Sequence, residues 1–365
     1  MDFGSKNRCS TMARIALIVL LLTVVFGVYI IGATRSTARG EPLVEAAVRR
    51  VVVDVDAGPD DVWALYHLLS SPGVRVEAIS CVKGNTNVTN VGRNVLRLLT
   101  ALGKEREIPV YLGSNERLIT PEPVANPNGG YFGSDGFSDI EFPDLPEPDV
   151  ALLRQSSVFN DLNKLIERYP HELTFIQLGP LTNLALLFKV FPETRHHIRD
   201  LFIMGGNRHG VGNTEKAAEF NFYSDPEAAH IVINNFGGHI TVLPWETASR
   251  ENLVANQTWR FEFLGSGSHP VLQMLNPVEK KPLGADDNWM PCDLLVAMAY
   301  TNPEIVTETK RYRADVELYG WLTRGQLVLD HMNQGQGNVT IIDNMDHVRI
   351  AQMLTDLAFE SSGTG

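Results

Sequence analysis

From residue 40 onward, short runs of aliphatic and β-branched residues alternate with longer stretches in which apolar residues recur three and four positions apart. The first pattern indicates buried strands and the second indicates amphipathic helices. Strands are predicted at 51–55, 74–82, 173–178, 201–204 and 239–243, and helices at 60–70, 90–101, 149–167, 183–190 and 226–234. This alternation is typical of the α/β class, so we expect a mainly parallel open sheet with helices on both faces.

Two regions depart from the alternation. Residues 245–290 combine short helical patterns with turn signals, and we expect them to form a small helical cap within the same domain. Residues 121–148 are rich in Pro, Gly and Asp. Loops of this length are usually functional or disordered, so this one is expected to cross the sheet edge or the active site.

The N-terminal region carries an uncharged apolar run. Residues 15–33 are 19 apolar or small residues, with basic residues on both sides at Lys6, Arg8, Arg14, Arg35 and Arg39. The run exceeds the roughly 7–15 apolar residues of a secretory signal and approaches the roughly 20 that span a bilayer. We expect residues 1–39 to be a signal anchor or signal peptide with a linker, the anchor being favoured. Residues 40–365 would then be a domain of the secretory pathway, membrane-anchored or extracellular.

The net charge limits which classes of ligand the domain can bind. Residues 40–365 contain 26 Lys and Arg against 42 Asp and Glu, a net charge of −16. Binding to a nucleic-acid backbone needs Lys and Arg, so nucleic acid is excluded as a partner, and small neutral ligands or cations remain.

The cysteine content limits disulfide formation. Beyond Cys9 there are only Cys81 and Cys292, which permit at most one intramolecular disulfide. Glycan-acceptor triplets for a secretory lumen occur at Asn87, Asn256 and Asn338.

Four carboxylates lie within eight residues, directly after the first predicted strand, in the stretch VVVDVDAGPDDV. Asp60 and Asp61 fall in the first turn of the next helix, where the helix dipole favours anions and acids are ordinary. Asp54 and Asp56 fall at the strand end, where buried carboxylates need a charged, donor or metal partner. The stretch from Asp54 to Val74 contains no Lys or Arg. A hard cation such as Ca²⁺ is the simplest partner, at the sheet edge where α/β proteins bind ligands.

The phrase DVDAGPDDV resembles the amino-terminal DxDPGxDDA signature of the inosine-uridine-type nucleoside hydrolases. Five further motifs follow in the family's order: VKGNTN at 82–87, LGPLTNLA at 178–185, FIMGGN at 202–207, GNTEKAAEFNFYSDPEAAHIV at 212–232 and CDLLVAMAY at 292–300. Six ordered motifs identify residues 40–365 as a nucleoside hydrolase catalytic domain. The resemblance implies that family's fold, a homo-oligomer (dimer or tetramer), and hydrolysis of ribonucleosides to free base and ribose.

The resemblance also implies a role for each matching residue. Ca²⁺ would be held by Asp56, Asp61, Asp293 and the backbone carbonyl of Leu178, with Asp54 as a supporting acid. Asp56 would be the general base for the attacking water. The ribose would be bound by Asp60, Asn85, Asn213, Glu219 and Asn221, with Met204 lining the sugar pocket. Carboxylates suit this chemistry because breaking a glycosidic bond builds positive charge on the sugar, and metal coordination acidifies water.

Taken one at a time, several of these residues have ordinary structural explanations. Asn85 and Asn213 suit turns, and Glu219 and Asn221 could cap the helix that begins near residue 226. Met204 at a strand end would commonly be core. Only the ordered set, placed at one predicted sheet edge, favours the functional interpretation.

At two positions near the leaving base, this chain differs from the family pattern. Several members carry a histidine directly before the last metal-binding Asp, and this chain has Cys292 there, as in the cysteine-bearing branch. Cys292 is either a catalytic residue or a small buried hydrophobic residue. In YFGSDGF, Phe132 stands where members often have histidine, and is either core or a stacking surface for the base. Aromatic residues that could sandwich a purine, and so favour purine nucleosides, are Trp289, Tyr223 and Trp245.

Three functions are compatible with these observations. The first is a Ca²⁺-dependent, purine-preferring ribonucleoside hydrolase. The second is a membrane-tethered nucleoside-binding protein that has lost turnover, although a binder would not need the set of Asp56, Asp61 and Asp293. The third is a phosphatase of the haloacid dehalogenase type. It is disfavoured because its chemistry needs a Lys and an acidic pair far downstream of the first Asp, whereas here the acidic pair Asp60 and Asp61 directly follows Asp54 and Asp56.

Overall fold

The first strand lies inside the sheet, between two parallel neighbours, and its side chains are apolar on both faces. The computed structural model describes residues 48–119, 130–155, 158–284, 287–332 and 334–359. In it, β1 (Arg49–Val55) pairs in parallel with β2 (Val74–Cys81) and β4 (Leu173–Gln177). Val51, Val52 and Val53 have no exposed surface, as expected for a strand that is covered on both faces.

The other strands extend the sheet on both sides. They are β3 (Val110–Leu112), β5 (Asp200–Met204), β6 (His239–Leu243), β7 (Val306–Tyr312) and β10 (Val339–Met345). The order is β3-β2-β1-β4-β5-β6-β10-β7, and among the described strands of this sheet only β7 runs antiparallel to its neighbour. A separate antiparallel ribbon consists of β8 (Ala314–Val316) and β9 (Leu327–Leu329). The predicted mainly parallel sheet is confirmed.

Helices cover both faces of the sheet. They are α1 (Pro59–Ser70), α2 (Val88–Ala101), α3 (Val158–Arg168), α4 (Thr182–Val190), α5 (Thr194–His197), α6 (Phe220–Ser224), α7 (Pro226–Asn235), α8 (Trp245–Ala248), α9 (Pro270–Lys280), α10 (Cys292–Thr301) and α11 (His347–Phe359). Val51, Val53 and Val55 face one core, formed with α1, α2, α9, α10 and α11. Val52 faces the other, formed with α3, α4 and α7. The alternation along β1 therefore joins two hydrophobic cores.

The predicted helical cap consists of short pieces. The segment after α8 contains a π-helical turn (Thr258–Phe263), a 3₁₀ turn (Leu264–Ser266) and then α9. It packs on the same core as α1 and α10, so the cap belongs to the main domain as predicted.

One predicted helix is wrong in extent, and several strands were not predicted. The span 149–167 contains a 3₁₀ turn (Val150–Leu152) capped by Asp149, and α3 begins only at Val158. Between them Arg154 exchanges backbone hydrogen bonds with β3, which holds the chain extended. Strand β7 was missed because most of its residues are polar or charged and exposed. Strands β3, β8 and β9 are only three residues long, too short for a clear pattern of apolar positions. Strand β10 was also not predicted.

The predicted N-terminal segment lies outside the described residues. The compact unit of the chain begins at Val48, so the predicted division between residues 39 and 40 also lies outside them. Within the described ranges, no helix is both long and apolar enough to cross a membrane.

Candidate active site

The turn between β1 and α1 is built by backbone contacts to Asp61. The carboxylate of Asp61 accepts hydrogen bonds from the backbone N–H of Gly58 at 2.8 Å and of Asp56 at 3.3 Å. Ala57 adopts a positive φ of 48° in this turn, a conformation that non-glycine residues rarely adopt. A Cβ atom on Gly58 would lie 2.9 Å from the Asn85 amide nitrogen and 3.0 Å from Asp60 Oδ1. The turn therefore brings Asp60 and Asn85 together beside Gly58.

Three carboxylates converge from two helix starts. Ligand oxygens of Asp60 and Asp61, at the start of α1, lie within 4.8 Å of those of Asp293, at the start of α10. The Asp60 carboxylate also interacts with the backbone amide of Asp293. Asp61 and Asp293 are buried and Asp60 is partly exposed. The cluster thus contains two of the predicted metal ligands, together with a residue predicted to bind ribose.

Asp56 lies beside this cluster and is held by Asn85. Asn85 donates from its backbone N–H to Asp56 Oδ2 at 2.9 Å and from its side chain to Oδ1 at 3.0 Å. The carboxyl groups of Asp56 and Asp61 also interact directly. A Cβ atom on Gly84 would lie 1.9 Å from Asp56 Oδ2, so a glycine is needed for this close approach.

Asp54 supports the cluster from inside the sheet. It accepts hydrogen bonds from the Ser80 hydroxyl and from the Asn183 side chain, the latter at 2.8 Å. Its other oxygen, Oδ1, is buried without a hydrogen-bond partner among the described residues. Ser80 and Asn183 were not predicted as site residues, although Asn183 lies within the quoted LGPLTNLA motif. Their role became visible only when β1, β2 and α4 came together.

Glu219 and Asn221 form the part of the site that lies at the start of α6. Glu219 accepts hydrogen bonds from the backbone N–H groups of Asn221 at 2.8 Å and Gly206 at 2.9 Å, and it caps α6. The Asn221 side chain donates to the carbonyl oxygens of Leu178 at 2.7 Å and Met204 at 3.2 Å. Asn221 therefore links a predicted metal ligand with the residue predicted to line the sugar pocket. The predicted capping role of Glu219 exists, but on α6 and not on the helix near residue 226.

Asn213 holds the loop that carries Glu219. Its side-chain oxygen accepts a hydrogen bond from the backbone N–H of Phe220 at 2.9 Å. The Asn207 side chain accepts one from the backbone N–H of Glu219 at 3.3 Å. All of the predicted site residues thus lie at or just after the carboxyl ends of β1, β2, β4 and β5 or at the starts of α1, α6 and α10, which is where open α/β sheets bind ligands.

Burial disfavours the ionised form of these carboxyl groups when no cation is near. Burial raises the pKa of Asp54, Asp60 and Glu219 to about 7 and the pKa of Asp56 to about 6. Neighbouring carboxylates raise the pKa values of Asp54, Asp60 and Glu219 further. Burial and mutual repulsion raise the pKa values of Asp61 and Asp293 still further. Among the described residues, no Lys or Arg contributes to these shifts. An oxygen-rich, buried and uncompensated cluster suits a hard divalent cation.

Cys292 lies next to these acids and is a weak acid itself. Burial, followed by the charges of Asp60 and Glu219, raises the pKa of its thiol well above the ordinary value. The thiol is therefore neutral and holds its proton tightly. Cys81 and Cys292 are both free and buried, so the disulfide that the sequence permits does not form.

Phe132 lies at the rim of the same pocket. Its ring carbon Cε2 is 3.4 Å from the position a Cβ atom would take on Gly58. The loop that carries it is held by hydrogen bonds from Thr86 to the Ser134 carbonyl at 2.8 Å and from Asn94 to the Asp135 carbonyl at 2.9 Å. Phe132 is half-buried, so it forms a fixed aromatic surface beside Asp60. This part of the predicted long loop lies at the active site.

The other aromatic candidates have different surroundings. Trp289 is buried and donates its indole N–H to Glu279 at 2.7 Å, and Trp63 donates to the same oxygen at 3.1 Å. Glu279 also pairs with Arg260, which has no exposed surface. Trp289 is therefore a packing residue. Tyr223 and Trp245 are half-buried, and the backbone N–H of Trp245 donates to the Gly206 carbonyl at 3.0 Å.

The chain is similar to known proteins over most of its length. The sequence profile of the family described as "Inosine-uridine preferring nucleoside hydrolase" matches residues 51–352. The "Pyrimidine-specific ribonucleoside hydrolase RihA" of Citrobacter koseri is 32% identical over 323 residues, which is 86% of this chain and 99% of the relative. The same-named protein of Escherichia coli O9:H4 is 31% identical over 84% of this chain and 97% of the relative.

Solved structures share the fold. An "Inosine-Guanosine Nucleoside Hydrolase" superposes with a TM-score of 0.76 at 25% identity, covering 86% of this chain and 99% of that chain. A "Purine-Preferring Ribonucleoside Hydrolase" from Gardnerella vaginalis superposes with a TM-score of 0.73 at 23% identity, covering 86% and 100%. At the latter identity the likeness concerns the fold alone.

Proposed function

The chain belongs to the inosine-uridine preferring nucleoside hydrolase family and hydrolyses ribonucleosides, and on this premise we propose that it uses Ca²⁺ and prefers purine nucleosides. The observation that carries the metal proposal is the convergence of Asp60, Asp61 and Asp293 within 4.8 Å. Asp56 interacts with Asp61 of this cluster. Leu178, the remaining predicted ligand, directly precedes Gly179, which packs against Asp56. Oxygen-only ligands favour Ca²⁺ or Mg²⁺ over softer metals.

Asp56 and Asn85 have separate roles in the proposed reaction. When bound, the ion supplies a Lewis-acid charge that makes a neighbouring water more acidic. Asp56, whose pKa is about 6, is mostly ionised at neutral pH and takes a proton from the attacking water. The water oxygen bonds to ribose C1′ while the C1′–N bond breaks, and the bond's electron pair leaves with the base. Asn85 keeps both Asp56 oxygens in place during this step.

The sugar is surrounded by negative charge. Asp60 and Glu219 both lie near Cys292, because the charge of each raises the pKa of its thiol. Positive charge that develops on the ribose ring is stabilised by such carboxylates. The same groups, with Asn213 and Asn221, offer acceptors and donors for the ribose hydroxyls.

The purine preference rests on Phe132. A bicyclic purine covers more of an aromatic face than a pyrimidine does, and aromatic stacking adds about 0.5–1.5 kcal/mol beyond area burial. Phe132 has no proton to donate, and the tightly held thiol of Cys292 is a poor donor, so the departing base takes its proton from solvent. The RihA relatives are named pyrimidine-specific, whereas the inosine-guanosine structure supports the purine proposal.

The test measures ribose release by the full-length chain in mild detergent. Inosine, guanosine, adenosine, uridine and cytidine are compared, with EGTA and after re-addition of Ca²⁺, Mg²⁺ or Zn²⁺. We expect the highest kcat/KM for a purine nucleoside, loss of activity with EGTA, and recovery with Ca²⁺. Phe132→Leu should lower kcat/KM for inosine more than for uridine. Binding of nucleosides without release of ribose from any of them would identify a binding protein instead.

We also propose that the protein enters the secretory pathway and is anchored by residues 15–33. Asn87 and Asn256 are exposed and available as glycan acceptors. Asn338 is half-buried and its amide donates to the carbonyls of Ile233 at 3.0 Å and Ala314 at 3.1 Å, so we expect no glycan there. Expression in secretory cells should give a glycosidase-sensitive mass shift that Asn87→Gln with Asn256→Gln removes. A shift that persists in this double variant contradicts the assignment.

A further inference from the structure

Glu279, near the end of α9, lies at the centre of a buried polar cluster. Its carboxylate oxygen Oε1 accepts the indole N–H of Trp63 at 3.1 Å and that of Trp289 at 2.7 Å. Its other oxygen, Oε2, accepts a hydrogen bond from the Arg260 Nε–H at 2.9 Å. All four side chains are buried, and we call these four residues the Glu279 cluster. Hydrogen bonds to an ionised group in dry surroundings are stronger than bonds between neutral groups, so the cluster is a firm junction.

The two indoles of the Glu279 cluster come from the two segments that carry acids of the active site. Trp63 lies three residues after Asp60 in α1, so the two side chains share one face of that helix. Trp289 lies four residues before Asp293, in the segment that leads into α10. One oxygen atom of Glu279 therefore links the start of α1 with the approach to α10.

Arg260 supports both indoles from the other side of the cluster. Its guanidinium carbon lies 5.1 Å from the centre of the Trp63 ring and 5.4 Å from the centre of the Trp289 ring, within the range of cation–π contacts. Its Nη1 group donates to the Asn276 side chain, one turn before Glu279 on α9, at 2.8 Å. Each indole is therefore held both by a hydrogen bond to Glu279 and by a contact with Arg260.

The end of α9 that carries Glu279 is itself anchored. The Ser138 hydroxyl donates to the Val278 carbonyl at 2.7 Å, and the Lys281 ammonium donates to the Ser138 carbonyl. The backbone N–H of Ser138 donates to the Phe132 carbonyl at 2.6 Å. Glu279 is thus a fixed point, and the same end of α9 also holds the loop that carries Phe132.

The acids at the two helix starts repel each other. Ligand oxygens of Asp60 and Asp61 lie within 4.8 Å of those of Asp293, and like charges at this distance in a buried site push the starts of α1 and α10 apart. The hydrogen bonds from Trp63 and Trp289 to Glu279 connect the same two segments. They therefore oppose that repulsion.

We propose that Glu279 is a positioning residue that keeps the starts of α1 and α10 at the spacing that a cation needs. This inference rests on the cation site of the proposed function. A site whose ligands are already in place loses less conformational freedom when it binds. The Glu279 cluster therefore raises the affinity for Ca²⁺ without contacting the ion.

The test is the affinity of the full-length chain for Ca²⁺, measured by isothermal titration calorimetry in mild detergent and without nucleoside. Trp63→Phe and Trp289→Phe each remove one indole N–H and keep an aromatic ring in the core. Each variant should bind Ca²⁺ about 3- to 10-fold more weakly, less than the about 10- to 100-fold that follows loss of a group bonded directly to a metal ligand. The control is Trp259→Phe, which should keep the parent affinity. The Trp259 ring packs on Trp289 with ring centres 6.5 Å apart and lies outside the hydrogen bonds to Glu279.

The double variant Trp63→Phe/Trp289→Phe separates one shared role from two local ones. Both indoles act through one oxygen atom, so loss of either bond already releases the spacing between the helix starts. The double variant should therefore bind Ca²⁺ about as weakly as the weaker single variant, whereas independent effects would multiply to about 10- to 100-fold. Thermal unfolding of the Ca²⁺-free variants is followed by circular dichroism in parallel. A bond with only a structural role would lower the unfolding temperature and leave the Ca²⁺ affinity unchanged.

Three outcomes overturn the proposal: parent-like Ca²⁺ affinity in both single variants, equal weakening in Trp259→Phe, or multiplied effects in the double variant. If Trp289→Phe does not fold, Trp63→Phe decides, because it breaks the same link from the side of α1. A parent chain that binds no Ca²⁺ overturns this inference together with the metal part of the proposed function. A parent chain that binds Ca²⁺ no better than the single variants overturns this inference alone.

Discussion

The side-chain amide of Asn221 donates a hydrogen bond to the carbonyl oxygen of Leu178 at 2.7 Å. This bond connects the start of α6 with the residue that follows β4. It orients a carbonyl that is predicted to ligate the metal, while the same amide also reaches the Met204 carbonyl. A carbonyl oxygen has two lone pairs, so Leu178 can accept from Asn221 and still face a cation.

Asn221→Ala is expected to lower kcat/KM because it leaves two buried carbonyls without their donor. Loss of a buried hydrogen-bond partner costs about 1–3 kcal/mol, which corresponds to about 5- to 150-fold in kcat/KM if it is expressed at the transition state. Steady-state kinetics on inosine measures the change. The control is Asn163→Ala, because Asn163 bonds to Glu167 on an exposed face of α3. Equal activity of the two variants would contradict the role assigned to Asn221.

Asp56→Ala is expected to abolish turnover while leaving the fold intact. The variant removes the proposed general base, and general base catalysis commonly contributes about 10²–10⁴-fold. Activity and circular dichroism are measured together, with Asp144→Ala on the exposed surface as the control. Retention of more than a tenth of the parent turnover would show that another group accepts the proton.

Gly84→Ala is expected to reduce activity more than stability. The added Cβ atom would lie 1.9 Å from Asp56 Oδ2, so Asp56 must move away from Asn85. Overpacking of this kind typically costs about 1–3 kcal/mol, while the displaced base loses its alignment with the water. Gly237→Ala is the matched control, since no atom lies within 4 Å of its Cβ position. A Gly84→Ala variant with parent-like kcat would disprove the close packing around Asp56.

Glu279→Gln is expected to destabilise the fold strongly. It leaves Arg260, which has no exposed surface, without its anionic partner, and breaking a buried ion pair costs about 3–5 kcal/mol. Urea unfolding measures the loss, and adding Arg260→Met should recover part of it by removing the orphaned charge. The exposed pair Arg93–Glu147 serves as the control, since Glu147→Gln should cost less than about 1 kcal/mol. A similar loss in the free energy of unfolding for Glu279→Gln and Glu147→Gln would contradict the claim that burial makes the Arg260–Glu279 pair costly to break.

The buried His67 is expected to make the fold acid-sensitive. Burial lowers its pKa to about 4, and its ring bonds to the Thr301 hydroxyl at 2.7 Å. The unfolded chain takes up the proton first, so this stability is present above the unfolded pKa of about 6.5 and is lost as the pH falls toward 4. The loss should approach roughly 3 kcal/mol.

Urea unfolding at several pH values between 7.5 and 4 isolates this contribution by difference. His67→Gln should show a smaller loss of stability over that window than the parent chain. The exposed His347→Gln variant should follow the parent. Identical pH profiles for the parent and His67→Gln would rule out the buried neutral histidine as a source of acid sensitivity.

The strand, turn and helix that carry Asp54, Asp56, Asp60 and Asp61 were predictable because their signals are local. The apolar run of β1, the turn after Asp56 and Pro59 at the helix start act between residues that are close in sequence. The same holds for β2, β4, β5 and β6, whose continuous aliphatic runs mark strands buried on both faces. Site residues at their ends follow from the rule that parallel strands share one carboxyl edge.

Only the tertiary structure decided which distant groups meet. The insertion of β10 between β6 and β7 depends on pairing between remote segments, as do the contact of Asp293 with Asp60 and Asp61 and the bond from Asn183 to Asp54. Trp289 was a candidate for stacking a base, yet its burial against Glu279 and Arg260 follows from how the cap packs on α1. Sequence periodicity reports which face of an element is apolar. It does not report which other element covers that face, because that choice depends on the shape and charge complementarity of the whole assembled core.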